Sequence, residues 1–393
     1  MATRGLMTTY KPMDLAFERG EGVWLFDTEG NRYLDCITGI AVCGLGHNHP
    51  RVTNTIQEQA ARLLHTSNLY RIPHQETLGA KLADISGMEA CFFGNSGAEA
   101  NECAIKLARL YGHHKGIDNP TIVVVEQAFH GRTLATLSAT GSRKAQAGFE
   151  PLVQGFVRAP YNDLEAIAQI GGKNDQVVAV MVEPVQGEAG INVPDPGYLS
   201  GLRQLCDRHG WLLILDEIQT GNGRTGSYFH YQQHGILPDV VTTAKGLGNG
   251  VPIGACLARG EAATIFTPGS HGSTYGGNPL CCATALTVLE TLQDENLPGR
   301  AAELGERLLA GFRQRLAEHP LVQEVRGKGL MLGIQLTRPC AELVAEARQA
   351  GLLINVTAES VVRLLPPLIL SDAEADEMLE RVSRLLLDWN PSA

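Results

Sequence analysis

Four segments of the sequence place a chemically useful side chain directly after an apolar run that predicts a strand. Lys245 lies in the glycine-rich segment 244–250, after the run 240–243, and Asp216 ends the run that begins at Trp211. A lysine that is partly withdrawn from water can have a lowered pKa and form a Schiff base. A carboxylate at the end of a buried strand is poorly solvated, so it needs a cationic partner. Each residue alone also has an ordinary interpretation, as a solvated lysine or as an aspartate that caps a turn.

The other two segments offer a phosphate site and a cation. Residues 94–101 are small and open a predicted helix, so their backbone N–H groups and the Ser96 hydroxyl suit a phosphate, although a plain helix cap is an alternative. The segment matches neither the dinucleotide-binding nor the P-loop glycine motif. After the run 121–125, Arg132 is a candidate clamp for a carboxylate. His130 is a candidate base there, but a His-Gly turn is as often structural.

The stretches around these turns predict an α/β fold. Short, nearly continuous apolar runs, which are typical of strands buried on both faces, occur at residues 91–93, 121–125, 177–182, 211–215 and 240–243. Helical periods lie between them, so we expect a mostly parallel sheet with helices on both faces. Because ligands gather at the carboxyl ends of such strands, the four segments are expected to meet at one edge.

The two ends of the chain predict a smaller α+β unit. The indicated elements are a hairpin over 23–27 and 32–35, helices over 51–64, 283–292, 301–316 and 372–387, and strands over 329–336, 352–356 and 361–364. We expect residues 1–60 to contribute to a small domain, residues 61–278 to form the large domain, and residues 279–393 to form the C-terminal part of the small domain.

The composition argues against several classes of function. The 393 residues carry a formal net charge of −10, so the chain is a poor candidate for binding nucleic acid. No stretch approaches the ~18 apolar residues of a membrane span, and the N-terminal region shows no secretory signal. The nine cysteines form no Cys-x-x-Cys pair, which favours reduced thiols in the cytoplasm, with no metal, over a zinc site or disulfides. Asn355-Val356-Thr357 fits a glycosylation sequon, but nothing indicates secretion.

Taken together, the candidates fit one cofactor, pyridoxal 5′-phosphate. This cofactor needs a lysine for its aldehyde, a carboxylate for its ring nitrogen, a phosphate turn and an aromatic neighbour, for which Phe129 is available. The carboxylate keeps the ring nitrogen protonated, so that the ring can accept the electrons of a substrate carbanion.

Ordered motifs along nearly the whole chain resemble those of the class III aminotransferases of fold type I. The motifs are residues 24–35, 95–101, 129–133, 182–188, 216–226, 243–250 and 272–279. The resemblance implies a large pyridoxal-phosphate-binding domain with a mostly parallel central sheet flanked by helices, a smaller α+β domain built from both chain ends, and a homodimer.

The resemblance also implies roles for individual residues. Lys245 is expected to bind the cofactor and to shuttle the proton, and Asp216 to pair with the pyridine nitrogen. The other implied cofactor contacts are Ser96, Gly97 and Ala98 at the phosphate, Phe129 stacked on the ring, Gln219 near the ring hydroxyl, and Thr274 at the phosphate of the neighbouring subunit.

For substrates, the chain is most similar to family members that act on N-acetylornithine and 2-oxoglutarate. The residues implied in substrate binding are Arg132, Ser273, Glu188 and Arg363. A donor with a terminal amine needs one cation, whereas 2-oxoglutarate carries a second carboxylate beside its reacting carbon. Glu188 could therefore neutralise Arg363 in the first half-reaction and release it in the second; a permanent ion pair is the alternative.

Other substrates and functions stay open at this stage. Relatives that act on succinylornithine, N-succinyl-diaminopimelate, ornithine or 4-aminobutyrate share nearly all of these residues. An aminomutase or racemase is disfavoured by the two-substrate pair. A non-catalytic protein is disfavoured because Lys245, Asp216 and Arg132 occur together. Whether the role is arginine biosynthesis, lysine biosynthesis or both is not determined by these residues.

Overall fold

The fold begins with three strands and three helices, in a computed structural model that describes residues 5–390. They are β1 (Phe17–Glu21), β2 (Trp24–Asp27), β3 (Arg32–Asp35), α1 (Thr38–Ala41), α2 (Pro50–Ala60) and α3 (Pro73–Ser86). The predicted hairpin is confirmed, since β2 and β3 pair antiparallel. The helix predicted over 51–64 ends at Ala60, because Leu63 and Leu64 are exposed instead of facing a core.

The middle of the chain supplies the large sheet and the helices around it. Its elements are β4 (Ala90–Gly94), α4 (Gly97–His114), β5 (Thr121–Val125), α5 (Leu134–Ala139), α6 (Arg143–Gln146), β6 (Phe156–Ala159), α7 (Leu164–Lys173), β7 (Val177–Val182), α8 (Tyr198–His209), β8 (Leu212–Asp216), β9 (Val240–Thr243), β10 (Gly254–Ala258) and α9 (Glu261–Thr264). Two 3₁₀ turns, His230–His234 and Lys245–Leu247, complete it.

The large sheet has the order β4-β10-β9-β8-β7-β5-β6, and only β10 runs against its neighbours. The predicted mostly parallel sheet is therefore confirmed. Along β5, alternate residues belong to two different core clusters, Val123 to one and Val124 to the other, which is how a strand covered on both faces packs. Strands β6 and β10 were not predicted, because β6 carries the exposed Arg158 and β10 is a short run of mostly small residues.

The last third of the chain forms two long helices, a small sheet and a final helix. Its elements are α10 (Pro279–Asp294), α11 (Leu297–Arg315), β11 (Val322–Lys328), β12 (Met331–Leu336), α12 (Leu343–Gln349), β13 (Leu352–Leu353), β14 (Asn355–Thr357), β15 (Val361–Leu364) and α13 (Asp372–Asp388). Sequence signals set some ends: Ser371 caps α13 in a capping box with Glu374.

The two chain ends share a sheet. Strand β13 pairs in parallel with β3, which gives the order β1-β2-β3-β13, whereas β14 joins the separate sheet β11-β12-β15-β14. The single strand predicted over 352–356 is therefore wrong, because its two halves pair with different sheets. The domain boundaries after residues 60 and 278 stay a prediction, and residues 1–4 and 391–393 lie outside the described part of the chain.

Candidate active site

A cavity of about 400 Å³ opens at the carboxyl edge of the large sheet. Most of its wall comes from the turns that follow β4, β5, β7, β8 and β9, as expected for parallel strands whose carboxyl ends meet. The sequence-predicted residues that line it are Ser96, Gly97, Ala98, Phe129, Arg132, Asp216, Gln219 and Lys245. The fold thus brings together eight candidates that are spread over about 150 positions of the sequence.

Lys245 begins the 3₁₀ turn after β9. Its backbone has φ 46°, a left-handed conformation that is uncommon for a residue with a side chain. The Asn222 amide holds this turn, donating to the Thr243 hydroxyl at 2.9 Å and to the Ala244 carbonyl at 3.1 Å. Burial lowers the pKa of Lys245, although the charge of Glu188 acts in the opposite direction. More of the amine is therefore neutral, and nucleophilic, than in an exposed lysine.

Asp216 is held at the end of β8 by three hydrogen bonds. Its Oδ2 accepts from Asn101 Nδ2 at 2.8 Å and from His130 Nδ1 at 2.7 Å, and its Oδ1 accepts from the Ile218 N–H at 3.1 Å. Asn101 in turn accepts from the Thr242 hydroxyl at 2.7 Å. The carboxylate is buried and fixed in orientation, while Oδ1 keeps capacity for a second donor from the cavity.

Sequence reasoning did not single out Asn101, and it left His130 between two interpretations. The available signal for Asn101 was a polar residue on the otherwise apolar face of α4, where Ala104, Ala108 and Tyr111 are all buried. His130 proves to contact Asp216, so its imidazole orients a carboxylate of the site.

Glu183, the first residue after β7, also lines the cavity and was missed. Its carboxylate accepts from the backbone N–H groups of Phe129 at 2.9 Å and of Gly187 at 3.1 Å. Burial raises the pKa of Glu183 to about 7, with His130 opposing and Asp216 adding to the shift. Glu183 thus connects the turn after β5 with the turn after β7. Like Asp216, it is a polar residue at the end of a buried strand, so the same sequence signal could have identified it.

The N-terminus of α4 faces the cavity and can bind an anion. Ser96 is the N-cap and its hydroxyl accepts from the Glu99 N–H at 3.2 Å. A Cβ on Gly97 would lie 2.7 Å from the side chain of Ile218, which also lines the cavity. Only glycine therefore lets the backbone pack this closely against that part of the wall. The 18-residue helix directs its dipole and its free N–H groups toward the same point.

Beside Gln219 lies an ion pair between Glu188 and Arg363, joined at 2.7 Å between Oε1 and Nη1. The Arg363 side chain is only 1% exposed, and its guanidinium also donates to Gln219 and to Asn355. Burial raises the pKa of Glu188, but the charge and the hydrogen bond of Arg363 outweigh it, so the net pKa is lowered. Glu188 is therefore ionised against a buried cation, and sequence reasoning did not foresee Asn355 as a third partner.

Four candidates do not line the cavity. They are Glu188 and Arg363, whose pair reaches the wall through the hydrogen bond from Arg363 to Gln219, and Ser273 and Thr274. Ser273 accepts through its hydroxyl from Asn95 Nδ2 at 3.1 Å, and Asn95 lines the cavity, so Ser273 is one residue removed from it. Thr274 is exposed and lies outside the lining. Its predicted contact with a neighbouring subunit stays a prediction.

These residues fit pyridoxal phosphate. The cavity offers an anion site at a helix N-terminus, a carboxylate with spare acceptor capacity, an aromatic ring and an amine with a lowered pKa, all on one wall. Within residues 5–390, no group of three His, Cys, Asp or Glu side chains is arranged to hold a metal ion. None of the helices in that range combines the length and apolar composition needed to cross a bilayer. All nine cysteines are free thiols.

A family model for aminotransferase class III matches residues 7–386. The chain belongs to the class III aminotransferases. It is 55% identical over 381 residues to an acetylornithine aminotransferase from Nitrosomonas europaea, covering 97% of each chain. This class III aminotransferase therefore uses pyridoxal phosphate, and the sequence-based predictions of fold, enzyme class and cofactor are confirmed.

Solved structures agree with the family assignment. An ornithine aminotransferase from Toxoplasma gondii with pyridoxal phosphate at partial occupancy in its active site superimposes with a TM-score of 0.95 at 34% identity, over 98% of this chain and 92% of that one. An acetylornithine aminotransferase from Elizabethkingia anophelis gives 0.88 at 33% identity, over 98% and 96%. The class III aminotransferase thus shares its whole fold with enzymes of two donor specificities.

Proposed function

We propose that this aminotransferase moves the terminal amino group of N-acetylornithine to 2-oxoglutarate, giving N-acetylglutamate semialdehyde and glutamate. The observation that carries the proposal is a pair of cations in different states: Arg132 is exposed at the cavity, whereas Arg363 is buried and masked by Glu188. One free and one masked cation suit two substrates that use one site and differ in their number of carboxylates. The similarity to the acetylornithine aminotransferase of Nitrosomonas europaea supports N-acetylornithine as the amino donor.

Lys245 would act at the reacting carbon, and Asp216 would act at the ring nitrogen of the cofactor. When bound, pyridoxal phosphate supplies an aldehyde that captures amino groups and a ring that accepts electron density. Lys245 would hold the aldehyde between turnovers and, once displaced by the substrate amine, move a proton at the reacting carbon. Its fixed backbone turn keeps the amine close to that carbon, which supplies proximity. Asp216 would keep the ring nitrogen protonated, and its three hydrogen bonds prevent it from turning away.

The rest of the cofactor would be held by side chains and backbone already at the cavity. Ser96, Gly97 and Ala98 would bind the phosphate with the helix N-terminus, Phe129 would cover the ring, and Gln219 would lie near the ring hydroxyl. The lining of the cavity by all five supports this assignment.

Glu188 and Arg363 would distinguish the two substrates. N-acetylornithine presents an apolar methylene beside its amine, and a bare arginine next to that group would be costly, so Glu188 neutralises it. The carboxylate next to the keto group of 2-oxoglutarate would displace Glu188 and bind Arg363, while Arg132 would receive the distal carboxylate of either substrate, and Ser273 would contribute through Asn95. Glu188 can move because it is one-third exposed, whereas Arg363 is enclosed.

We propose that the active unit is a homodimer in which Thr274 binds the phosphate in the neighbouring subunit. Around the loop that carries Thr274 lie exposed apolar side chains, which support an interface there. They are Leu63, Leu64, Leu69, Tyr70 and Tyr275. The segment 63–70 is tied to that loop by Asn68, which donates to the Ser273 and Gly276 carbonyls.

The reaction would serve arginine biosynthesis in the cytoplasm. The nine free cysteines suit a reducing compartment, which supports that location.

A visible absorption titration of the purified holoenzyme tests the proposal. The aldehyde and amine forms of the cofactor absorb differently, so N-acetylornithine should convert one to the other and 2-oxoglutarate should restore the first. Succinylornithine, N-succinyl-diaminopimelate, ornithine and 4-aminobutyrate are the competing donors, and ranking their kcat/KM values assigns the donor.

Conversion fastest with N-acetylornithine supports the proposal. A higher kcat/KM for one of the other donors overturns the donor assignment, and conversion by none of them overturns the aminotransferase reaction proposed for these substrates.

A further inference from the structure

Strand β14 contacts both members of the Glu188–Arg363 pair. Asn355 Oδ1 accepts from Arg363 Nη2 at 2.7 Å and from Nε at 3.0 Å. Two residues further on, the Thr357 hydroxyl donates to the backbone carbonyl of Glu188. This three-residue strand therefore holds Arg363 through the side chain of Asn355, and it holds the backbone of Glu188 through the side chain of Thr357.

The backbone explains why one short strand can do both. Side chains at i and i+2 point to the same face of a strand, so Asn355 and Thr357 emerge side by side. Asn355 also lies directly opposite Arg363 in the antiparallel pairing of β14 with β15, which puts their side chains on a common face. The Asn-x-Thr spacing, which also fits a glycosylation sequon, is thus used inside the fold.

The chemistry of the contact leaves Arg363 charged. Arginine has only donors, so the Asn355 atom that faces it is the amide oxygen. This neutral oxygen satisfies the Nε and Nη2 edge of the guanidinium without cancelling its charge. The remaining Nη1 donates to Glu188 at 2.7 Å and to Gln219 at 3.3 Å. A guanidinium held on one edge can exchange its partner on the other edge without losing its orientation.

We propose that Asn355 is the positioning residue that keeps Arg363 aimed at the site when Glu188 releases it, and so sets the affinity for acceptors with a carboxylate beside the reacting carbon. Thr357 has the complementary task of anchoring the Glu188 segment, so that Glu188 returns to mask Arg363 for the amine donor. This inference rests on the proposed function and adds two residues that none of the class III aminotransferase motifs contains.

The principal test separates the two half-reactions of the holoenzyme by single-turnover absorbance. Asn355→Ala should lower kcat/KM for 2-oxoglutarate by about 10- to 100-fold, the usual effect of losing hydrogen bonds to a charged group, and leave the N-acetylornithine half-reaction within about 3-fold. The unreactive dicarboxylate glutarate provides a second readout, because its Kd for the holoenzyme, measured by calorimetry, should rise in parallel.

Asn355→Asp preserves the shape of the side chain, so the proposal can still be tested if the alanine variant does not fold. Its carboxylate would neutralise Arg363 permanently, so the 2-oxoglutarate half-reaction and glutarate binding should weaken while the donor half-reaction persists. Thr357→Val should give the opposite split, slowing the N-acetylornithine half-reaction by about 2- to 10-fold, because the anchor of the Glu188 segment is lost.

Ser360→Ala is the matched control. Ser360 lies next to β15, and its hydroxyl accepts from Gln335 without touching the pair, so its loss reports general damage to this sheet. The inference is overturned if Asn355→Ala and Asn355→Asp both leave the 2-oxoglutarate half-reaction and the glutarate Kd unchanged. It is equally overturned if the Asn355 variants slow both half-reactions by the same factor and lower Tm as Ser360→Ala does.

Failure of the proposed function looks different. If the wild-type enzyme converts none of the donors, the function fails before any variant is compared. If the wild type is active and Arg363→Ala loses the 2-oxoglutarate half-reaction while the Asn355 variants do not, only the role of Asn355 falls.

Discussion

Two carboxylates near Lys245, Asp216 and Glu188, are held in opposite ways. Asp216 is 3% exposed and accepts hydrogen bonds from a helix, a turn and the backbone of its own segment. Glu188 has a side chain that is 33% exposed and that is paired with the Arg363 cation. The sheet edge around Asp216 is thus a fixed region, and the pair formed by Glu188 and Arg363 is a changeable one.

The difference matches what the proposed function requires of each region in its two half-reactions. A group that holds the ring nitrogen needs one position throughout, and redundant hydrogen bonds provide it. A group that must mask a cation for one substrate and leave it for the next needs a single partner and room to move. Arg363 itself is enclosed, so the exchange has to be made by Glu188.

The largest effect is expected at the fixed region, from Lys245→Ala. Without the amine that is proposed to move the proton, kcat should fall by at least about 10²- to 10⁴-fold, because no second lysine lines the cavity among residues 5–390. Steady-state turnover checks this, with absorbance and fluorescence used to confirm that cofactor still binds. Lys173→Ala, at the exposed end of α7, is the matched control. Substantial transamination by the Lys245 variant would disprove the assignment.

The second prediction concerns the pH dependence of stability at the same edge. Burial raises the pKa of Glu217 to about 7, above that of the unfolded chain, so the native state holds a proton that the unfolded state releases. Protonation of Glu217 in the native state therefore adds to the free energy of unfolding. This contribution is complete below pH ~4.5 and is lost as pH rises through ~7, which lowers the free energy of unfolding by up to about 3 kcal/mol.

Glu217→Gln should remove that dependence, because the neutral amide can still accept from the Tyr231 N–H and can pair with the Thr220 hydroxyl. The variant should gain stability relative to wild type as pH rises from about 5 to about 8, measured by urea unfolding at each pH. Parallel curves for the two proteins over that range would contradict the prediction.

A third prediction tests the redundancy around Asp216. Asn101→Ala removes one of its three hydrogen bonds, so kcat should fall by about 10-fold, since a hydrogen bond to a charged group is lost. Thr242→Val removes only the hydroxyl that Asn101 accepts from and should have a smaller effect. Equal losses in the two variants would mean that the contact with Asp216 is not what Asn101 contributes.

The smallest effect is expected at the changeable region, from Glu188→Gln. The amide can still accept from Arg363 but no longer neutralises it, so kcat/KM for N-acetylornithine should fall by roughly 3- to 10-fold. Glutamate, which has a carboxylate on its reacting carbon, should improve as a donor. The measurement is the ratio of the two kcat/KM values, and an unchanged ratio would favour a permanent ion pair.

Much of the fixed region could be predicted from local sequence. Lys245 and Asp216 come directly after buried strands, and parallel strands bring their carboxyl ends to one edge whatever the length of the intervening chain. Strand ends at Thr121–Val125, Val177–Val182 and Val240–Thr243 were predicted to the residue, because continuous apolar runs bounded by turns leave little choice.

Partnerships between distant segments could not be predicted from the sequence. Asn101 and His130 meet Asp216 only because α4 and the turn after β5 pack against β8, and no spacing along the chain encodes that approach. The run 352–356 looked like one strand because four of its five residues are apolar, yet hydrogen-bond partners in two sheets divide it.

The sequence by itself determined the class of fold and the cofactor, and it predicted most of the residues that line the cavity, since these depend on which side chains end which strands. Only the tertiary structure decided how those residues are held. Three hydrogen-bond donors surround Asp216, and two side chains on one face of β14 contact Arg363 and the backbone of Glu188. The physical reason is that burial and strand pattern are local properties of the chain, whereas a hydrogen bond needs two atoms about 3 Å apart, a distance set by the packing of whole elements.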